Sequence, residues 1–131
     1  CLFSTLGMVA GRDHRRKMLR HVRRIVRPGG TFLLHVHHRW AALREPGGIT
    51  KSIASLVKSC RDHQHEFGDS VYAYRGLQQM FMHRFGRLEL TNDLRNTGWE
   101  VDRCLRLSID GKQLTGRFPI CGDFFVIAKA R

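Results

Sequence analysis

The residues with the most chemical capacity stand together in FLLHVHHRW, residues 32–40, where three imidazoles, a guanidinium and an indole follow an apolar run. Imidazole ligates metals and moves protons near neutral pH, so two chemistries are open to such a run. Spacing argues against the first. On a strand His35 and His37 share one face and His38 takes the other, so the three rings cannot easily converge. A zinc or iron site also needs a third or fourth ligand from elsewhere. His63-x-His65 lies in an irregular polar stretch with no fixed relation to the run. No metal is therefore expected. The run reads instead as the end of a buried strand that turns polar where it emerges.

A second group interleaves aromatic and basic residues: Trp40, Tyr72, Tyr74 and Phe81 among Arg39, Arg75, His83 and Arg84. Aromatic faces stack on bases while neighbouring cations hold phosphates. The plainer alternative is that the aromatics pack a sheet and the arginines cover its rim. Other motifs are missing. There is no GxGxxG, no GxxxxGK[ST], no HExxH and no serine or cysteine in a recognisable nucleophile setting. The cysteines at 1, 60, 104 and 121 form no CxxC pair, and buried reduced thiols are expected of them.

The elements that must position these groups alternate in type. Residues 1–5 (CLFST) read as the end of a buried strand. From Asp13, taken as N-cap, Met18, Leu19, Val22, Ile25 and Val26 form one helical stripe, with Arg16, Lys17, Arg20, Arg23, Arg24 and Arg27 opposite. Arg15 is the misfit, falling on the apolar side. Pro28-Gly29-Gly30 ends the helix, and residues 31–36 read as a strand buried on both faces. After a break at residues 44–48, Ile49, Ile53, Leu56, Val57 and Cys60 mark a second amphipathic helix to about Arg61. Short strands are expected over 71–74 and 80–85. A third helix over 87–97 should end at Gly98 with Leu94 and Trp99 touching across it. Strands over 101–107 and 124–128, with a turn at Asp110-Gly111, close the chain.

Composition sets outer limits. The 131 residues allow one domain or part of one, and no apolar run approaches the roughly 20 residues that span a bilayer. Lys plus Arg number 23 against 11 Asp plus Glu, a formal charge of +12 that favours polyanions, so RNA is a candidate partner. The chain opens on Cys1 and enters an apolar segment at once, which predicts an upstream part. With no secretory signal, a cytoplasmic location is expected.

CLFSTLGMVAG, an amphipathic helix, VRPGG and the strand TFLLHV resemble, in that order, the region from strand four to strand five of class I S-adenosylmethionine-dependent methyltransferases. In that family a Leu/Val-Arg/Lys-Pro-Gly-Gly turn commonly precedes strand five. FMHRFGRLELTNDLRNTGWEVDRCLRL is similar to the family's Phe-x-x-x-Glu-Leu helix, Gly-aromatic turn and strand six. DFFVIAKAR is similar to its seventh strand, antiparallel to its neighbours. MFMHRFGRLEL with GDFFVIAKA further resembles segments of tRNA wobble-uridine carboxymethyl methyltransferases.

The resemblance implies an α/β fold: the carboxyl half of a Rossmann-like methyltransferase sheet, strands four to seven with the last antiparallel, and three main helices. Residues 1–131 would be a partial domain whose amino-terminal cofactor-binding half is missing, and 41–85 a substrate-side insertion. It implies S-adenosylmethionine as cofactor, bordered here by Ser4, Thr5 and Leu6. The glycine loop and ribose-binding acid of the family would precede Cys1. The acceptor cleft would draw on His37, His38, Arg39, Trp40, Tyr74, Arg75 and His83. Methyl transfer by direct displacement needs a general base only if the acceptor must lose a proton, and His37, His38 and His83 are the candidates. Two alternatives stay open: a basic RNA-binding module without catalysis, and a degenerate methyltransferase-like subunit supporting an active partner.

Overall fold

The computed structural model describes residues 1–44, 46–74, 76–108, 114–115 and 122–131. The Asp110-Gly111 turn, Cys121 and Arg75 lie outside them. The elements run α1 (Arg12–Ile25), β1 (Thr31–Val36), α2 (Gly48–Arg61), β2 (Asp69–Tyr74), β3 (Leu77–His83), α3 (Arg87–Arg95), β4 (Trp99–Leu107), β5 (Leu114–Thr115) and β6 (Phe124–Ala130). Short 3-10 turns occupy Thr5–Met8 and Arg39–Arg44.

The main sheet has the order β1-β6-β4-β5, and a separate hairpin pairs β2 with β3. Strand β6 runs antiparallel to both β1 and β4, with Leu34 opposite Val126 and Trp99 opposite Ala130. β1 and β4 are therefore parallel to each other with an antiparallel strand inserted between them. That is the arrangement expected of strands five, seven and six.

One face of the sheet makes the core. Phe32, Leu34 and Val36 from β1 and Phe124, Val126, Ala128 and Ala130 from β6 alternate inward. They meet Leu19 of α1, Leu90 and Leu94 of α3, and Trp99. Trp99 stacks at 4.8 Å on Phe32, and its indole N–H donates to the Leu19 carbonyl at 3.2 Å. Leu94 and Trp99 are both wholly buried on either side of Gly98, whose φ of 90° a side chain would resist.

Several expectations need correcting. Residues 1–5 are not a strand: they turn at Phe3-Ser4. Their backbone still pairs as a parallel neighbour of β1, since His35 N–H donates to the Cys1 carbonyl at 2.9 Å and Ser4 N–H to the His35 carbonyl at 3.2 Å. β1 is buried on one face only, with Leu33 45% exposed, because α1 and α3 cover only the face that carries Leu34. Gly11, not Asp13, is the N-cap of α1, and Ile25 is exposed. Cys60 is exposed, and Cys1 and Cys104 are half-buried.

The second helix exists with its polarity reversed. Ile49, Ile53, Leu56 and Val57 are all exposed. Ser52 and Ser55 face inward, and the Ser55 hydroxyl meets His65 Nε2 at 3.1 Å. Among the described residues, no helix is long and apolar enough to cross a membrane.

Candidate functional site

A cleft of about 530 Å³ opens beyond the carboxyl end of β1. Its walls are the segment after β1 (His37, His38, Arg39, Ala41, Ala42), the inner face of α2 (Lys51, Ser52, Ser55), residues 67–72 with Phe67 and Tyr72, and Asp123. Position follows from topology, because ligands of open α/β sheets bind at the carboxyl ends of the parallel strands. A parallel bridge between His38 and Phe85 helps to hold the segment after β1 there. Phe85 N–H donates to the His37 carbonyl and Arg39 N–H to the Phe85 carbonyl, both at 2.9 Å.

The structure brings His37, His38 and Arg39 together on this wall. Trp40 is 44% exposed and packs edge-on against Phe67 at 5.9 Å, beside the cleft rather than on its lining. Tyr74 is 46% exposed, with its ring 6.4 Å from Tyr72. His83 is wholly buried and does not reach the lining. Arg75 lies outside the described residues.

His35 and His37 do share a face, and both reach one carboxylate. His37 Nδ1 stands 2.8 Å and His35 Nε2 3.2 Å from Asp123 Oδ2, while His38 N–H donates to Oδ1 at 3.3 Å. Burial pushes the Asp123 carboxyl up, but the bonds from His35 and His37 outweigh it and hold the group well below the usual carboxylate range. His38 points the other way, its ring 4.4 Å from Phe124.

Beneath the cleft lies a buried ionic network built around Arg15. This wholly buried guanidinium donates to Glu66 at 2.6 Å, lies 3.8 Å from Glu89, and sits 5.6 Å over the Phe85 ring. His83 is held on both nitrogens, by Asp69 at 2.6 Å and by Glu89 at 2.8 Å. Glu89 also pairs with Arg39, whose guanidinium stacks on Phe67. Burial disfavours protonated His83, but its bonds to Asp69 and Glu89 prevail and raise it. Asp69 and Glu89 are lowered, since their bonds to His83 outweigh burial.

Glu66, His83 and Glu89 offer ligand atoms within 4.8 Å of one another, the geometry of a metal site. The cation among these carboxylates is Arg15, and both His83 nitrogens face carboxylates, so the cluster is a salt network.

Sequence reasoning missed Asp123, Phe67, Lys51 and the α2 serines as cleft residues. Asp123 had a usable signal. It is the acid immediately before the last apolar strand, and pairing that strand antiparallel to TFLLHV sets residue 123 beside residue 37.

At the start of the chain, Phe3 and Ser4 both adopt left-handed backbone, with φ of 56° and 57°. Two successive non-glycine residues there are costly, and such strain gathers at functional sites. Ser4 and Leu6 are buried, Thr5 is exposed, and the Ser4 hydroxyl accepts from His37 N–H at 3.1 Å. Phe3 is 81% exposed.

No protein-family model and no curated protein sequence matches the chain. Solved structures do. A methyltransferase described as S-adenosylmethionine-dependent from Methanosarcina mazei aligns with 97% of this chain at 17% identity and a TM-score of 0.69. The CcbJ methyltransferase of Streptomyces caelestis covers 98% at 13% identity and a TM-score of 0.61. An S-adenosylmethionine-dependent methyltransferase from Clostridium acetobutylicum covers 98% at 8% identity and a TM-score of 0.61. The chain spans 56%, 58% and 55% of the lengths of these proteins. The fold is that of a class I methyltransferase sheet.

Proposed function

We propose that this chain forms the acceptor-facing part of an S-adenosylmethionine-dependent methyltransferase. The observation that carries the reading is the cleft at the carboxyl end of β1, in a chain nearly all of which aligns with just over half of each of three methyltransferases. In this reading the glycine loop and the acid that would hold the nucleoside belong to residues beyond this chain. The chain itself contributes the strained turn at Phe3-Ser4, with Thr5 and Leu6 behind it. The turn fits one edge of such a group: the exposed Phe3 ring and the exposed Thr5 stand beside a backbone fixed by the Ser4–His37 bond. When bound, the cofactor supplies a methyl group already activated on a sulfonium, so the protein's task is to align the acceptor and exclude water.

His37, His38 and Arg39 then wall the acceptor side, with Phe67 and Tyr72 opposite. Residues 41–85 act as the insertion that closes the cleft. Trp40 and Tyr74 take the rim, and His83 holds the floor from below.

A second reading has its own support. Lys17, Arg20 and Arg24 are exposed on the outer side of α1 and Arg27 just beyond its end, a basic ridge on a chain of +12 charge. An RNA acceptor, a tRNA among them, would meet that ridge through its phosphates.

The test is transfer of a labelled methyl group by the full-length gene product to tRNA, protein and small-molecule pools. Label entering one pool, with S-adenosylhomocysteine binding by calorimetry, supports the reading. Absence of cofactor binding defeats it. Retention of RNA that weakens steeply with salt, without label transfer, would favour a non-catalytic RNA module.

A further inference from the structure

The histidine run contains a proton-handling pair that its own sequence does not reveal. His37 lines the cleft with 35% of its side chain exposed, and Asp123 lines the same cleft from the residue before β6. Their contact at 2.8 Å runs from Nδ1 to Oδ2. Asp123 is secured by two further donors, His35 Nε2 and the His38 backbone N–H. An ionised acceptor at Nδ1 fixes the proton of a neutral imidazole on that nitrogen and leaves Nε2 with its lone pair. Among the described residues His37 Nε2 has no hydrogen-bond partner.

We propose that His37, oriented by Asp123, removes a proton from the methyl acceptor, and that the acceptor is an un-ionised hydroxyl compound small enough for the cleft. This rests on the methyltransferase reading. A carboxylate acceptor is already ionised at neutral pH and would leave such a pair idle. A phenol or alcohol is a poor nucleophile until its proton leaves, and a positioned base corrects that. In the step, the hydroxyl oxygen forms a bond to the methyl carbon while the methyl–sulfonium bond breaks. The electron pair of that bond goes to sulfur, leaving a neutral thioether. The hydroxyl proton passes to His37 Nε2, and the imidazolium is stabilised by Asp123 until solvent takes the proton. Asp123 is the positioning residue, and His35, reaching the same carboxylate oxygen, helps to hold it. The walls suit an uncharged ring: Ala41, Ala42, Phe67 and Val71 are apolar, with Ser52 available for orientation.

Two measurements test this. In the chain labelled with nitrogen-15 histidine, magnetic resonance should find neutral His37 protonated on Nδ1, with that preference lost in Asp123→Ala. A proton on Nε2 in the unaltered chain overturns the proposal. In the full-length protein, methyl transfer is compared between phenols or alcohols and the corresponding carboxylic acids. His37→Gln should slow transfer to hydroxyl compounds by about 10²–10⁴-fold and remove the acid limb of the pH–rate profile. S-adenosylhomocysteine affinity should not change. Asp123→Asn should shift that limb rather than abolish it. The other titratable groups facing the pair and the cleft are His35, His38, Lys51 and Asp69, beside the permanently charged Arg39 and Arg84, and a limb that survives His37→Gln belongs to one of the titratable groups and overturns the proposal. Methylation confined to carboxylates, or to no hydroxyl compound, overturns it while intact cofactor binding preserves the methyltransferase reading. Loss of cofactor binding in the unaltered protein defeats that reading and the proposal together.

Discussion

Arg15 and Glu66 stand 2.6 Å apart across 51 residues of sequence, joining the first turns of α1 to the loop that precedes β2. Arg15 has no exposed surface, whereas Glu66 keeps 25% of its side chain in solvent. Around them Glu89, Asp69, His83 and Arg39 complete a set of three carboxylates, two guanidiniums and one imidazole. With His83 protonated the set is neutral, which explains why a buried cluster of ions is tolerated beneath the cleft.

Arg15→Ala should therefore destabilise the fold by about 3–5 kcal/mol, because it strands carboxylates that cannot regain water. Arg15→Lys should recover only part of this, since an ammonium lacks the planar fork that reaches both Glu66 and Glu89. Urea denaturation of both variants measures the difference. Equal stability to the unaltered chain would show that the network carries no weight.

The network also sets a pH window. His83 is raised in the folded state, so its contribution is complete below its unfolded value of about 6.5 and is lost as pH rises through the folded value. Asp69 and Glu89 are lowered, so theirs is present above about pH 4 and is lost as pH falls through their folded values. Thermal midpoints should peak between these limits. His83→Asn should lower the peak and flatten the alkaline side, and a midpoint profile unchanged in shape would contradict the assignment.

Gly7 leaves no room for a side chain where the initial turn meets the hairpin. A Cβ there would lie 2.6 Å from the His83 carbonyl oxygen and 2.9 Å from Ser4 Oγ. Gly7→Ala must move backbone on one side, at a cost of about 1–3 kcal/mol. The drop should appear in denaturation. If the turn at Ser4 borders the cofactor as proposed, S-adenosylhomocysteine binding by the full-length protein should weaken with it.

The outward stripe of α2 should behave as surface. Ile53→Ser and Val57→Ser should each change stability by no more than about 0.5 kcal/mol. Light scattering should show less self-association in the double variant, since these are contiguous exposed apolar side chains. A large loss of stability would mean that the stripe is covered.

Local patterns made most of the fold legible. Pro28-Gly29-Gly30 marked the end of α1, and the structure adds that Gly29 N–H and the Gly30 carbonyl are stitched to Ala130 at the end of β6. Alternation placed His35 and His37 on one face, and FFVIA read as the strand it forms. The site was less legible because its partners are distant in sequence. Asp123 meets His37 across 86 residues, and the contact is signalled only through the antiparallel register of β6 against β1. Arg15 was visible only as a cation on the wrong side of a helix, which was the one local sign of the buried network. The α2 stripe misleads for the opposite reason: helical periodicity reports that apolar residues share a face, not which side that face takes.

The ionic cluster under the cleft has a consequence for engineering. Three of its members, Glu66, Asp69 and His83, belong to the 41–85 segment, while Arg15 and Glu89 belong to the helices that pack the sheet. The cluster thus ties the stretch from Glu66 to His83 to α1 and α3 by charge. A stretch transplanted here from another protein would need its own acid, acid and histidine at these places; with neutral residues there, Arg15 would keep Glu89, at 3.8 Å, as its counter-ion.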